Sequence, residues 1–207
     1  ETIKEITSLR PAMIARNFRI ILSNPQFFSG VICLGLGYST IVIFNVAGPF
    51  LIQKTLGYNA IFFGKIALLV GVAYFSATFL NRFLVQIISP ATLMSVGLGL
   101  MLVFSGLYLV FAYSFPLSIY TVVTPVFLII FSTGLIFPNI MSKCLSLFPH
   151  MGGAASALLG VVVTLASFST SVLASLLRSH SLIPTAWGYF FVVLLSGLLF
   201  VLVFDRD

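Results

Sequence analysis

Residues that could perform acid–base chemistry are nearly absent from the apolar part of this sequence. The four carboxylates all lie at the ends of the chain, at Glu1, Glu5, Asp205 and Asp207. His150 and His180 fall at predicted helix ends, where surface or capping roles are expected. Cys33 and Cys144 lack metal or redox spacing and are interpreted as small apolar core residues. No apolar segment pairs a nucleophile with a base, so we predict no enzyme activity, cofactor or metal site.

Polar and aromatic side chains inside the long apolar segments remain as candidates for a binding site. Tyr38 and Asn45 share one helical face through positions 41 and 42, and Tyr74 and Thr78 share another. Aromatic walls with few polar groups suit small hydrophobic or cationic compounds. The predicted substrate-binding residues are Tyr38, Asn45, Tyr74, Thr78, Thr133, Phe137 and Asn139.

Several of these residues also have a structural explanation that the sequence leaves open. An amide such as Asn45 hydrogen-bonds between helices in many membrane proteins, and Tyr74 would equally serve helix packing. Pro138 has no N–H, so a carbonyl one turn earlier loses its helical donor. In the structural alternative, Asn139 supplies that donor.

A run of small residues near position 156 predicts close helix packing. Small side chains four residues apart let two backbones approach each other. Either this is ordinary packing within a bundle, or the partner is another half of the protein across a sliding interface. The residues predicted for interdomain packing are Gly153, Ser156, Ala157 and Gly160.

The composition places these residues in a lipid bilayer. The chain is 60% hydrophobic and 7% charged, far from the averages of soluble domains. A bilayer core about 30 Å thick needs about 20 apolar residues of helix, and the apolar runs are continuous rather than alternating. The net charge is +6, and most of the lysines and arginines lie between or before the apolar segments. Membrane topology explains this distribution, so no nucleic-acid partner is expected.

Prolines and glycines divide the chain into six predicted spans. Residues 1–24 are predicted to be a cytoplasmic loop or a helix lying at the membrane surface, and residues 25–207 an all-α six-helix transmembrane bundle. Helices are expected to open at Pro25, Pro90, Pro116, Pro149 and Pro184. The spans cover about 25–53, 60–81, 90–112, 116–143, 149–177 and 184–204.

The distribution of lysine and arginine predicts the orientation. With six spans both termini lie on one side, together with Lys4, Arg10, Arg16, Arg19, Arg82, Lys143 and Arg206. The opposite side holds only Lys54, Lys65 and Arg178. The more basic side is expected to be cytoplasmic.

Interrupted helices suggest an internal duplication. Gly48-Pro49 in the first span and Gly134 with Pro138 in the fourth lie near the far ends of their helices. Matching interruptions in two halves are typical of transporters. They predict two three-helix repeats of inverted topology.

The sequence also resembles a known family. It is similar to the seventh to twelfth helices of drug:proton antiporters of the Bcr/CflA type, in the major facilitator superfamily. The match runs from Pro25 to Phe204. It is carried by residues 48–53, 56–58, 62–64, Asn81-Arg82, Pro138-Asn139 and 152–160.

The resemblance implies the C-terminal six-helix half of a twelve-helix transporter. Residues 1–24 would then end the central cytoplasmic loop, and the partners would be an N-terminal six-helix half, protons, a small-molecule substrate and the lipid bilayer. The expected activity is multidrug efflux in exchange for protons by alternating access, in a cell membrane such as a bacterial inner membrane. Since no carboxylate lies within the predicted spans, the proton acceptor is expected in the N-terminal half. The alternative is a non-transporting scaffold or assembly subunit.

Overall fold

The predicted helical membrane architecture is confirmed at the level of the helices. The computed structural model describes residues 11–176 and 181–204, which are helical almost throughout. Six helices are long and apolar enough to cross a membrane. These six helices define a multi-pass α-helical membrane protein. Predictions about Lys4, Arg10, Arg178, His180 and Arg206, and about the four carboxylates, lie outside the described residues.

The chain forms seven α-helices in the described ranges. A short helix, α1, precedes α2, which continues as a π-helix over Phe50–Thr55. A 3-10 turn, Pro149–Met151, leads into α6, and α7 continues as a π-helix over Phe200–Phe204. The α-helices are α1 Pro11–Leu22, α2 Pro25–Pro49, α3 Ala60–Leu84, α4 Pro90–Ser114, α5 Ile119–Ser146, α6 Gly152–Leu176 and α7 Ile183–Leu199.

Local capping chemistry starts the helices. Asn24 and Ser89 each accept a backbone N–H from the residue three positions later, and each precedes a first-turn proline. The fourth span differs from the sequence prediction. It begins at Ile119 rather than at Pro116, because Ser118 and Thr121 form a capping box.

The six long helices pack in a pattern that is symmetric between the first three and the last three. Helices α2 and α5 contact each other at the centre of the bundle, and α4 packs against α7. Helix α3 packs mainly on α5, whereas α6 packs mainly on α2. Neither α3 nor α6 makes much contact with the helix that precedes it in sequence. The second helix of each three-helix unit, α3 or α6, therefore packs on the first helix of the other unit, α5 or α2.

Two glycines allow close helix approaches at equivalent places in this arrangement. A Cβ on Gly35 of α2 would lie 2.7 Å from the Cβ of Ala166 on α6. A Cβ on Gly134 of α5 would lie 2.8 Å from the Cβ of Ala77 on α3. Packing therefore matches Gly134 with Gly35. A Cβ on Gly48 would instead lie beside the rings of Phe44 and Phe63.

Candidate functional site

A cavity of about 340 Å³ opens between α2, α3 and α5. We call it the aromatic cavity. Four of the seven predicted substrate-binding residues line it: Tyr38, Asn45, Tyr74 and Phe137. Its remaining walls are Ile41, Phe44, Ala67, Val70, Gly71 and Ile130. The volume lies within the range of small-molecule sites, which are mostly apolar with a few convergent polar groups.

The polar groups of the aromatic cavity are neutral. They are the hydroxyls of Tyr38 and Tyr74 and the amide of Asn45. Within the described residues, neither the Tyr38 hydroxyl nor the Asn45 amide makes a hydrogen bond. Both side chains are exposed and line the cavity. These two groups are therefore available to a ligand without breaking an existing interaction.

Aromatic rings define the shape of the cavity wall. The rings of Tyr38 and Phe137 lie 6.3 Å apart and are tilted by 50°. Phe44 stacks on Phe63 with 5.7 Å between ring centroids, which fixes the orientation of the Phe44 ring. Ring faces attract cations and stack on planar molecules. The lining therefore suits a flat apolar or cationic molecule.

Two threonines that were predicted to bind substrate make interhelical hydrogen bonds. Thr133 lies in the core, 3.2 Å from the hydroxyl of Thr40, and donates to the carbonyl of Ile129 at 3.1 Å. Thr78 donates to the carbonyl of Gly134 at 3.3 Å. Pro138 leaves that carbonyl without its helical donor, so Thr78 on α3 compensates for the proline on α5. A role of either threonine in substrate binding stays a prediction.

Asn139 lies outside the aromatic cavity lining and pairs with an asparagine on α3. Its amide donates to Asn81 Oδ1 at 2.8 Å and to the carbonyl of Leu135 at 2.7 Å. Asn81 donates in return to Asn139 Oδ1 at 3.4 Å. The structural alternative predicted that Asn139 donates to the carbonyl freed by Pro138, and this prediction is wrong. Thr78 donates to that carbonyl, which belongs to Gly134, and Asn139 donates to the carbonyl of Leu135.

Asn81 is a buried polar residue that the binding-site prediction did not include. It is 5% exposed, although it lies one residue from Arg82 near the end of α3. The sequence places Asn81 four residues after Ala77, on the same helical face. Only the packing of α3 on α5 shows that this face is buried.

The small residues predicted for interdomain packing lie on an uncovered face of α6. Gly153, Ser156, Ala157 and Gly160 are all exposed. Among the described residues, nothing lies within 4 Å of a Cβ built on Gly153 or on Gly160. This face is therefore separate from the α6 surface that carries Ala166 and packs on α2.

Helix α3 has a matching uncovered face. Gly64 and Gly71 precede Ala77 by the same 13 and 6 residues by which Gly153 and Gly160 precede Ala166. A Cβ on Gly64 or Gly71 would also meet no described atom within 4 Å. The symmetry of the bundle therefore places two glycine-bearing faces, one on α3 and one on α6, where none of the described helices covers them.

A larger groove of about 550 Å³ lies on the other side of the bundle, between α4 and α7. Its walls are aliphatic apart from Ser95, Gly99, Gly197 and Phe200, and the Ser95 hydroxyl bonds to the carbonyl of Ala91 in its own helix. With no convergent polar groups, it lacks the directional contacts of a specific site. We therefore take the smaller aromatic cavity as the candidate functional site.

Comparisons with protein-family models, with curated proteins and with solved structures found no match to this chain.

Proposed function

We propose that this chain is one half of a secondary active transporter that exports small hydrophobic or cationic compounds in exchange for protons. Its fold would be the C-terminal six-helix half of a major facilitator superfamily protein. An N-terminal six-helix half would face it across the substrate. The two halves would rock about a central site, so that the site opens to one side of the membrane at a time.

The aromatic cavity is the observation that supports this proposal. Its rings offer stacking and cation–π contacts, while Tyr38 and Asn45 offer two uncommitted polar groups. A site of this kind discriminates weakly between compounds, because it has few fixed directional contacts. Weak discrimination is the property that multidrug export requires.

The symmetric packing of the helices supports the transporter architecture. Two units of three spanning helices have opposite orientations in a membrane, since three is an odd number. The exchange of α3 and α6 between the units follows the same symmetry. Inverted repeats with a site near their junction are a recurring design of secondary transporters. On α6, the uncovered face with Gly153 and Gly160 offers a surface for a second half, whereas Gly71 on the matching face of α3 lines the aromatic cavity.

The coupling proton would bind outside the described residues. Residues 11–204 contain no Asp or Glu, and a proton carrier needs a group that changes its charge within the membrane. The proposed N-terminal half would supply that group. Substrate and proton sites would then lie on opposite walls of one cavity, and their competition would couple the two fluxes.

Transport by the native polypeptide in proteoliposomes tests this proposal. We expect a pH gradient to drive movement of ethidium, a planar aromatic cation, and to do so less well in the variants Asn45→Ala and Tyr74→Ala. Each variant should lose several-fold in transport at low ethidium concentration, because each removes a cavity contact worth about 1 kcal/mol. The control is Tyr120→Ala, an exposed tyrosine at the start of α5.

Three results would count against the proposal. Absence of any gradient-driven flux in the native polypeptide would favour the scaffold alternative. Unchanged flux in both cavity variants would refute the site. Proton-coupled flux by residues 1–207 alone would refute the assignment of the proton acceptor to another half. The intact mass of the native polypeptide should be measured first, and a mass about twice that of this chain is expected.

A further inference from the structure

The short helix α1 is fixed against one end of the bundle. Ile21 is fully buried in the core, and Phe18 packs against the same core. Only Ser23 and Asn24 separate α1 from α2, and both are hydrogen-bonded back to α1, through Arg19 and Ile21. Helix α1 therefore presents its outer surface in a defined position.

The outer surface of α1 carries two arginines. Arg16 and Arg19 are exposed, and each lies two residues from a core-facing side chain, Phe18 or Ile21. Residues two apart on an α-helix point about 200° away from each other. The guanidinium groups are thus turned away from the bundle, one turn of helix apart.

An exposed apolar side chain accompanies the arginines. Ile20 is 45% exposed and lies four residues after Arg16, so the two side chains are neighbours on one helical face. A cationic head group beside an exposed aliphatic group is typical of helices that lie at a membrane surface. Arg16 would reach the phosphate level while Ile20 contacts the acyl chains.

The described part of the chain offers these arginines no anionic partner. Residues 11–204 contain no Asp or Glu, so neither arginine has a carboxylate to pair with there. Arg82, also exposed, ends α3 at the same end of the bundle at which α2 begins. This end of the described bundle therefore carries further positive charge.

We propose that α1 is a binding site for the head group of an anionic phospholipid. Arg16 and Arg19 would bind the phosphate, and Ile20 would contact the lipid chains beside it. The site would hold this end of the bundle at the membrane surface and select anionic over zwitterionic lipid. It does not depend on the proposed transport activity.

Native mass spectrometry of the purified chain with added lipid tests the site. We expect dioleoyl phosphatidylglycerol to bind more tightly than dioleoyl phosphatidylethanolamine. The double variant R16Q/R19Q should weaken phosphatidylglycerol binding about 25-fold, since each basic residue near an anionic surface contributes about fivefold. R16K/R19K should retain binding within about threefold, because it keeps both charges.

A matched control removes two charges from the other end of the bundle. In K54Q/K65Q, phosphatidylglycerol binding at the tightest site should stay unchanged, since both lysines lie near the π-helical end of α2 and the start of α3. Equal weakening in K54Q/K65Q and R16Q/R19Q would overturn the proposal, as would unchanged binding in R16Q/R19Q. Displacement of the lipid by inorganic phosphate at equal concentration would also overturn it and identify a free-anion site.

Discussion

Asn139 on α5 and Asn81 on α3 form a reciprocal amide pair, with nitrogen–oxygen distances of 2.8 and 3.4 Å. Both side chains are buried, at 6% and 5% exposure. One helical turn earlier, Thr78 bonds the carbonyl of Gly134 across the same interface. Three polar side chains therefore join α3 to α5 beside the proline of α5.

The amide pair predicts a coupled loss of stability. Replacing Asn139 with Ala leaves the Asn81 amide buried without its partner, so the free energy of unfolding should fall by about 1–3 kcal/mol. The double variant N81A/N139A should be more stable than the sum of the single effects by about 0.6–1.7 kcal/mol. Reversible unfolding in mixed micelles measures both, and strictly additive effects would show that the pair does not interact.

The close approach of α3 to α5 at Gly134 predicts that adding one methyl group there would push the two helices apart. In Gly134→Ala, the new Cβ would lie 2.6 Å from the backbone carbonyl oxygen of Tyr74. Backbone atoms cannot rotate away, so α3 and α5 must shift and stability should fall by about 1–3 kcal/mol. Gly106→Ala is the control, since a Cβ there meets no described atom within 4 Å. It should be neutral or stabilising by up to about 1 kcal/mol.

The fully buried tyrosines between α4 and α7 predict a gain in stability. The rings of Tyr108 and Tyr189 pack edge to face at 5.6 Å, and neither hydroxyl has a hydrogen-bond partner among the described residues. Tyr108→Phe and Tyr189→Phe remove an unsatisfied polar atom, so each should stabilise the bundle by about 1 kcal/mol. Tyr120→Phe, at an exposed position, should change nothing. Destabilisation in both buried variants would contradict this prediction.

Substitutions on the uncovered face of α6 are predicted to block transport without changing the stability of the bundle. Gly160→Leu and Ser156→Leu place bulky groups where the described bundle has no neighbour, so the bundle should unfold within about 0.5 kcal/mol of its normal free energy. Transport by the native polypeptide should be blocked, because the second half could no longer pack closely there. Gly106→Leu on α4 should keep transport. Normal flux through Gly160→Leu would contradict the proposed interface.

The sequence by itself determined the six membrane helices and several of their starting points. Long continuous apolar runs indicate helices that cross a lipid bilayer. The dipeptides Asn24-Pro25 and Ser89-Pro90 set the start of α2 and α4, because each supplies a capping side chain and a first-turn proline. Helical periodicity also placed Tyr38 with Asn45 on one face, and both line the aromatic cavity. These features depend on residues close together in the chain.

Only the tertiary structure decided which faces meet. Periodicity predicts that Thr78 lies on a particular side of α3, but the proline-freed carbonyl of Gly134 is 56 residues away in sequence. The same holds for Asn81 opposite Asn139, and for Gly35 as the packing counterpart of Gly134. The partner of a helix face is set by the packing of the whole bundle, because many apolar faces offer nearly equal burial and small differences in fit select among them.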